Sequence, residues 1–167
     1  MLKIFVKSVF AGGAISLGGA AFICSQNKVI GSLFFVVGLF LVLTSDLNLF
    51  TGKICYLFDN KKSYVLDLLI IYLGNFIGSA LMGSILHPIM NTELIASFTT
   101  TLTERVSRDW WKVVLLGILC NICIYVAVDG YRNMDKEWKK ILSLFFGVSV
   151  FVLCGFEHCI ADMFYIF

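Results

Sequence analysis

Residues 44–52, Thr-Ser-Asp-Leu-Asn-Leu-Phe-Thr-Gly, interrupt an apolar run that extends from residue 29 to about residue 58. The run is 30 residues long, where about 20 cross a bilayer as a helix. A second apolar run, 138–167, is also 30 residues long and contains Gly155-Phe156-Glu157-His158. Both patches are polar and poorly suited to a continuous helix. Lipid cannot satisfy the backbone N–H and C=O groups that a break exposes, so each patch must be buried in protein or line a polar pathway. Discontinuous helices in corresponding positions of two halves point to a midplane substrate site. Here the second of three apolar segments matches the second of the two that follow. The sequence thus predicts two broken helices.

Composition sets the surroundings of those breaks. Of 167 residues, 59% are hydrophobic and 14% charged, against roughly 25% charged in a soluble domain. The mean hydropathy is +0.92, and there are 16 Phe but one Pro. A soluble fold of this size could not hide so much apolar side chain. A soluble enzyme and a disordered chain are excluded, and a net charge of +2 excludes nucleic acid as a partner. The expected class is an all-α integral membrane protein in a lipid bilayer, with residues 1–167 forming one domain. Five apolar segments stand out, at about 4–24, 29–58, 64–86, 110–128 and 138–167. Polar connectors at 25–28, 59–63, 91–109 and 129–137 separate them.

If each segment crosses once, Lys3, Lys7, Lys53, Lys61, Lys62, Arg132, Lys136, Lys139 and Lys140 share the side of the N-terminus. Lys28, Arg105, Arg108 and Lys112 fall opposite. Excess Lys and Arg marks the cytoplasmic side, so a plasma-membrane protein with a cytoplasmic N-terminus is expected. Lys3 and Lys7 precede an apolar stretch as in a signal peptide, but Gly12, Gly13, Gly18 and Gly19 read as packing glycines. No small-x-small cleavage site follows, so a retained first helix is expected. Of six Cys, Cys120 and Cys123 form a C-x-x-C pair with no second pair to complete a tetrahedral site. Neither a metal nor a cofactor is expected.

The polar residues at depth carry the chemistry. His158 lies some 30 Å of helix beyond Trp138 at about 1.5 Å per residue. A charge at such depth costs at least about 2.5–3.5 kcal/mol and usually faces a cavity or relay. Histidine can stay neutral there and still exchange a proton near physiological pH. The alternative is a packed histidine donating to a carbonyl exposed by the break. Glu157 could orient His158 or cap exposed N–H groups, and capping is the expected role. Thr51 would stand at the start of a half-helix beginning around Gly52, a place favourable to anions, or serve as a simple N-cap. Asn75 and Asn121 lie mid-segment and could do no more than bond across helices. Gly12 with Ser16, and Gly74 with Gly78, have the spacing of close helix crossings.

At this point the chain resembles a known family. The resemblance is carried by Leu49-Phe50-Thr51-Gly52, Tyr72-Leu-Gly-Asn75, Gly117-Ile-Leu-Cys-Asn121 with Val126-Ala-Val128, and most specifically Gly155-Phe-Glu-His-Cys-Ile-Ala-Asp-Met-Phe164. Together these resemble the formate/nitrite transporter family, in order and over essentially the whole chain. The resemblance implies an aquaporin-like bundle of six spans with an inverted repeat, five of them seen here. It implies a homopentamer in which each protomer has its own pore, blocked by two apolar constrictions with a histidine between them. Phe35, Leu39 and Phe151 would correspond to the cytoplasmic constriction, and Leu49, Phe50 and Ile124 to the opposite one. His158 and Thr51 match the central polar pair, Asn121 a pore-side Asn, and Arg105 a vestibule position that could attract anions. Three departures stand out: Asp162 replaces a usual Asn, Phe167 replaces a Pro, and the chain reads as C-terminally shortened, before a sixth span.

The function so implied is passage of small monovalent anions of the formate or nitrite class. His158 would protonate the anion between the constrictions, so that a neutral acid crosses at lower desolvation cost. The alternative within the same fold is a truncated, inactive or structural membrane subunit. A membrane enzyme using Glu157 and His158 lacks a nucleophile, metal set or cofactor loop, so no enzyme is expected.

Overall fold

The computed structural model describes residues 1–25 and 27–167; the first connector, 25–28, contains the one position outside that description. Among the described residues, three helices are long and apolar enough to span a bilayer unbroken: α1 (Leu2–Cys24), α4 (Tyr64–Leu86, extended by a 3-10 turn to Ile89) and α6 (Trp110–Asn133). The two long apolar runs are divided as their polar patches predict. α2 (Lys28–Thr44) stops before a loop and the short α3 (Phe50–Lys53), which a 3-10 turn continues to Tyr56. α7 (Glu137–Cys154) stops before a loop and α8 (Cys159–Phe164).

One helix was not expected. The connector 91–109 contains α5 (Thr92–Val106), whose Thr-rich sequence has poor intrinsic helix propensity. Its hydroxyls turn back onto the carbonyls one turn earlier, as from Thr100 to Ala96 at 2.9 Å and Thr103 to Thr99 at 2.7 Å. Side-chain hydroxyls satisfied in this way no longer compete for other backbone groups. Asn91 caps the helix by accepting the Leu94 N–H at 2.9 Å.

α1 packs most extensively on α4 and α2, and α6 on α7, so α1–α2–α3 is answered by α6–α7–α8. The α1–α4 crossing is closed by glycine. A Cβ at Gly12 would lie 2.1 Å from the Asn75 carbonyl oxygen, and one at Gly78 would lie 1.9 Å from that of Val9. The small-residue spacings in the sequence thus mark a real backbone contact. Gly78→Leu should destabilise the protein by about 3 kcal/mol, the upper range for overpacking, because the obstacle is backbone rather than a movable side chain. Thermal unfolding in detergent would show this as a lowered Tm; an unchanged Tm would refute it.

The breaks are satisfied within the protein. At the first, Asn75 on α4 accepts the Phe50 N–H (2.8 Å) and donates to the carbonyls of Ser8 (2.7 Å) and Asn48 (2.9 Å). That side chain uses both amide protons and its oxygen to close a gap between three elements. At the second, Gly155 ends α7 in the left-handed conformation, φ +68°, where glycine alone carries no Cβ penalty. Asn75→Leu keeps the volume but leaves those backbone groups unpaired, at about 1–3 kcal/mol each. Its lowered Tm should be accompanied by faster proteolysis at residues 45–49; equal protection would count against the hub.

The core lies where the two repeats face each other, joining Phe35, Leu39, Leu49, Ile124, Phe151 and Ile160. α6 buries less of itself than α1, and its outer face exposes Leu115, Ile118 and Ile122.

Candidate functional site

The two broken segments meet at Thr51 and His158, 107 residues apart, with Thr51 Oγ1 and His158 Nε2 separated by 3.0 Å. Both side chains are buried, at 4% and 2% exposure. The other ring nitrogen defines the tautomer. His158 Nδ1 accepts the Ala161 N–H at 3.1 Å and so caps α8. A nitrogen that accepts carries no proton, so in the neutral ring Nε2 holds it and donates to Thr51. Thr51 therefore keeps its own hydroxyl proton for a further acceptor. Phe151 stacks on the imidazole, with centroids 5.5 Å apart and planes 21° apart.

Several local expectations are corrected here. The short helix begins at Phe50 rather than around Gly52, because Asn75 supplies a partner for the Phe50 N–H. Leu49 occupies the N-cap position, so Thr51 is a residue of the helix and not its cap. His158 is not a donor to an exposed carbonyl; it accepts an N–H and faces Thr51. At four and six residues, α3 and α8 add little dipole. The polar centre rests on the hydroxyl and the imidazole.

Glu157 was expected to cap backbone N–H groups, and its carboxylate is engaged elsewhere. Its Oε2 accepts from Arg105 at 2.6 Å, and its Oε1 from Arg108. Arg105 also donates to Asp162 Oδ1 at 2.6 Å and lies 5.3 Å from the Tyr165 ring centroid. Arg108 reaches the Gly155 carbonyl at 3.3 Å. Two guanidiniums thus face two carboxylates, and Arg105 is tied down rather than free. Burial alone would lower its pKa, but the Asp162 and Glu157 carboxylates more than reverse this and raise it, so the guanidinium stays charged. The network staples the end of α5 and the loop before α6 onto the second break.

The apolar residues also come together. The Phe35 and Phe151 rings meet edge to face at 5.7 Å, while Leu39, Leu49 and Ile124 are each no more than 2% exposed. Phe50 is partly buried and packs edge-on against Tyr72 at 5.1 Å. The direction of α2 reverses the expected sides of the two sets. α2 runs antiparallel to α1 and delivers Asn48 to its first turns, where Asn48 bonds the Lys7 and Ile4 carbonyls. Leu49 and Phe50 therefore lie toward the face bearing the N-terminus. Phe35, level with Gly18 late in α1, and Phe151, near the end of α7, lie toward the opposite face. Leu39 lines a recess with Leu49 and so belongs to the N-terminal side.

Asn121 is not drawn to the His158 pair. Its Nδ2 donates to Cys55 Sγ at 3.1 Å, one turn beyond Thr51. Cys55 and Arg108 were not singled out by sequence reasoning. Arg108 follows Arg105 by three residues, a spacing that could have flagged it, whereas nothing local distinguishes Cys55.

A helical bundle with two broken helices meeting at a buried Thr–His pair defines a class of membrane proteins. The family model described as "Formate/nitrite transporter" matches residues 1–167. The chain belongs to the formate/nitrite transporter family. Among its relatives, the formate channel FocA of Haemophilus influenzae is 27% identical over 187 residues, covering 97% of this chain and 64% of its own length. The Escherichia coli formate channel FocA is also 27% identical, over 99% of this chain and 65% of its own length. This chain thus spans somewhat under two thirds of those relatives. Of solved structures, a pentameric formate channel with formate bound aligns over 99% of this chain and 73% of its own, at 26% identity and a TM-score of 0.86. These relatives are channels and transporters, not enzymes.

Proposed function

We propose that the protein passes small monovalent anions of the formate or nitrite class across the plasma membrane, with a cytoplasmic N-terminus and in a homopentamer. The observation that carries this reading is the Thr51–His158 pair, buried between apolar residues where the two breaks converge. An anion arriving between the Leu39, Leu49, Phe50 and Ile124 set and the Phe35 and Phe151 set meets the free proton of the Thr51 hydroxyl and, once it turns from Thr51, the proton on Nε2 of His158. Both stabilise a carboxylate that has lost its water. Transfer of a proton to the anion makes a neutral acid, which crosses apolar surroundings without the cost of about 2.5–3.5 kcal/mol for a buried charge.

His158 can give a proton only after passing through the imidazolium, in which Nδ1 is protonated as well. Nδ1 must then release the Ala161 N–H. Proton delivery and uncapping of α8 are thereby coupled. Asn121 and Cys55 border the Thr51 side of this route, and the Arg105–Glu157 clamp supports the His158 side.

Uptake into proteoliposomes tests the reading. Formate, nitrite, acetate, lactate and hydrosulfide would be compared at two pH values, with vesicles lacking protein as reference. Protein-dependent flux of at least one anion, rising as the pH falls, is expected. A chain that forms no pentamer on native gels and moves none of them would instead be a structural or inactive subunit of the same fold.

A further inference from the structure

Cys55 lies in the 3-10 turn that continues α3, four residues beyond Thr51. Its sulfur accepts from Asn121 Nδ2 at 3.1 Å, and its own proton is directed between the Thr51 and Asn121 carbonyls, at 3.9 and 4.0 Å. Asn121 shares one stripe of α6 with Gly117, Ile124 and Val128, since residues three and four apart are neighbours on a helix surface. The two ends of that stripe face the two breaks. A Cβ at Gly117 would lie 4.0 Å from the Glu157 carbonyl oxygen, and one at Gly52 would lie 3.4 Å from the Val128 side chain. Asn121 falls between these ends, at the level of the Thr51–His158 pair.

Asn75 shows what a structural asparagine does in this chain, engaging its oxygen and both amide protons on backbone groups. Among the described residues, the Asn121 side chain makes one bond, and its acceptor is a thiol. Sulfur is a weak acceptor. The bland account is an asparagine bonding across helices beside a small apolar filler. It does not explain why Oδ1 of Asn121 is left unpartnered among the described residues, yet not sealed off.

We infer that Cys55 is a positioning residue: it parks Asn121 in a weak N–H···S bond, from which an anion at the Thr51–His158 pair recruits the amide as a further donor. A hydrogen bond to a charged acceptor is about twice as strong as a neutral one, so exchanging the sulfur for an anion oxygen is favourable. A stronger acceptor in place of sulfur would hold the amide back.

The inference rests on the transport reading, so one arm of its test needs no flux. In detergent, the infrared S–H stretch of Cys55 is the band lost in Cys55→Ala, against the background of the other free cysteines. Saturating formate should shift that band as Asn121 leaves the sulfur. Asn121→Leu should shift it without formate and abolish the response. The second arm is formate uptake into proteoliposomes. Cys55→Ala removes the competing acceptor and should lower the half-saturating concentration about threefold, the low end for one hydrogen bond. In an Asn121→Leu background the same change should have no effect, because the partner is gone. A filler at this position would instead lower the Tm and leave the half-saturation where it was. A band shift without any flux in the parent protein would sustain the role of Cys55 and defeat the transport reading. A band that formate leaves unmoved, or a half-saturation that Cys55→Ala leaves unaltered, would overturn the role.

Discussion

Replacing Arg105 with alanine is expected to destabilise the protein by about 3 kcal/mol, the lower end for removing one partner of a buried ion pair. The lower end applies because the Arg105 side chain retains 18% exposure, against 6% for Glu157. Among the described residues, its loss leaves Asp162 with no cation within ion-pairing distance and Glu157 with Arg108 alone. The penalty is mostly that of a buried carboxyl group left without its partner, so a second change should recover part of it. Arg105→Ala combined with Asp162→Asn should melt higher than Arg105→Ala alone. Thermal unfolding in detergent, followed by tryptophan fluorescence, measures both. Equal melting temperatures for the single and double variants would show that the pair is not coupled. The same network accounts for Asp162, which departs from the Asn expected at that position. A carboxylate is tolerated there because Arg108 joins Arg105 in the second connector and balances the added charge.

The second large effect concerns His158. His158→Asn keeps an acceptor in the place of Nδ1 but loses the Nε2 donor to Thr51 and cannot take up and release a proton. Under the proposed mechanism the anion would then cross charged, at a cost of about 2.5–3.5 kcal/mol. Since about 1.4 kcal/mol is a factor of ten, flux should fall on the order of a hundredfold. The sign with pH follows from the same step. Under that mechanism flux in the parent protein should rise as pH falls, and in the variant this slope should flatten. Asn also retains an oxygen able to accept the Ala161 N–H, so α8 should stay capped and the melting temperature should change little. Full flux with an unaltered pH profile would remove His158 from the proton step.

Much of the fold was legible because its signals are local. The polar interruptions at 44–52 and 155–158 announced both breaks, and the glycine spacings announced the α1–α4 contact. α5 escaped because its Thr-rich stretch has low helix propensity, and the back-bonding that rescues it shows only once the helix exists. Thr51 and His158 were found as depth-placed polar residues, and only the family resemblance paired them; nothing local joins positions 107 apart. The role expected for Glu157 failed for a similar reason. A carboxylate beside a break looks like a cap until two arginines from another segment reach it first.

The two interrupted runs from which the reading began therefore mark the division. By itself the sequence determined the solvent, the broken helices and the family, because hydropathy and motif spacing are properties of neighbouring residues. Only the tertiary structure decided which apolar set lies on which face, which nitrogen of His158 bears the proton, and which carboxylates Arg105 and Arg108 engage. Those depend on helix direction and on distances between segments remote in the chain, where hydrogen bonds and charges act over a few ångströms and sequence separation carries no weight.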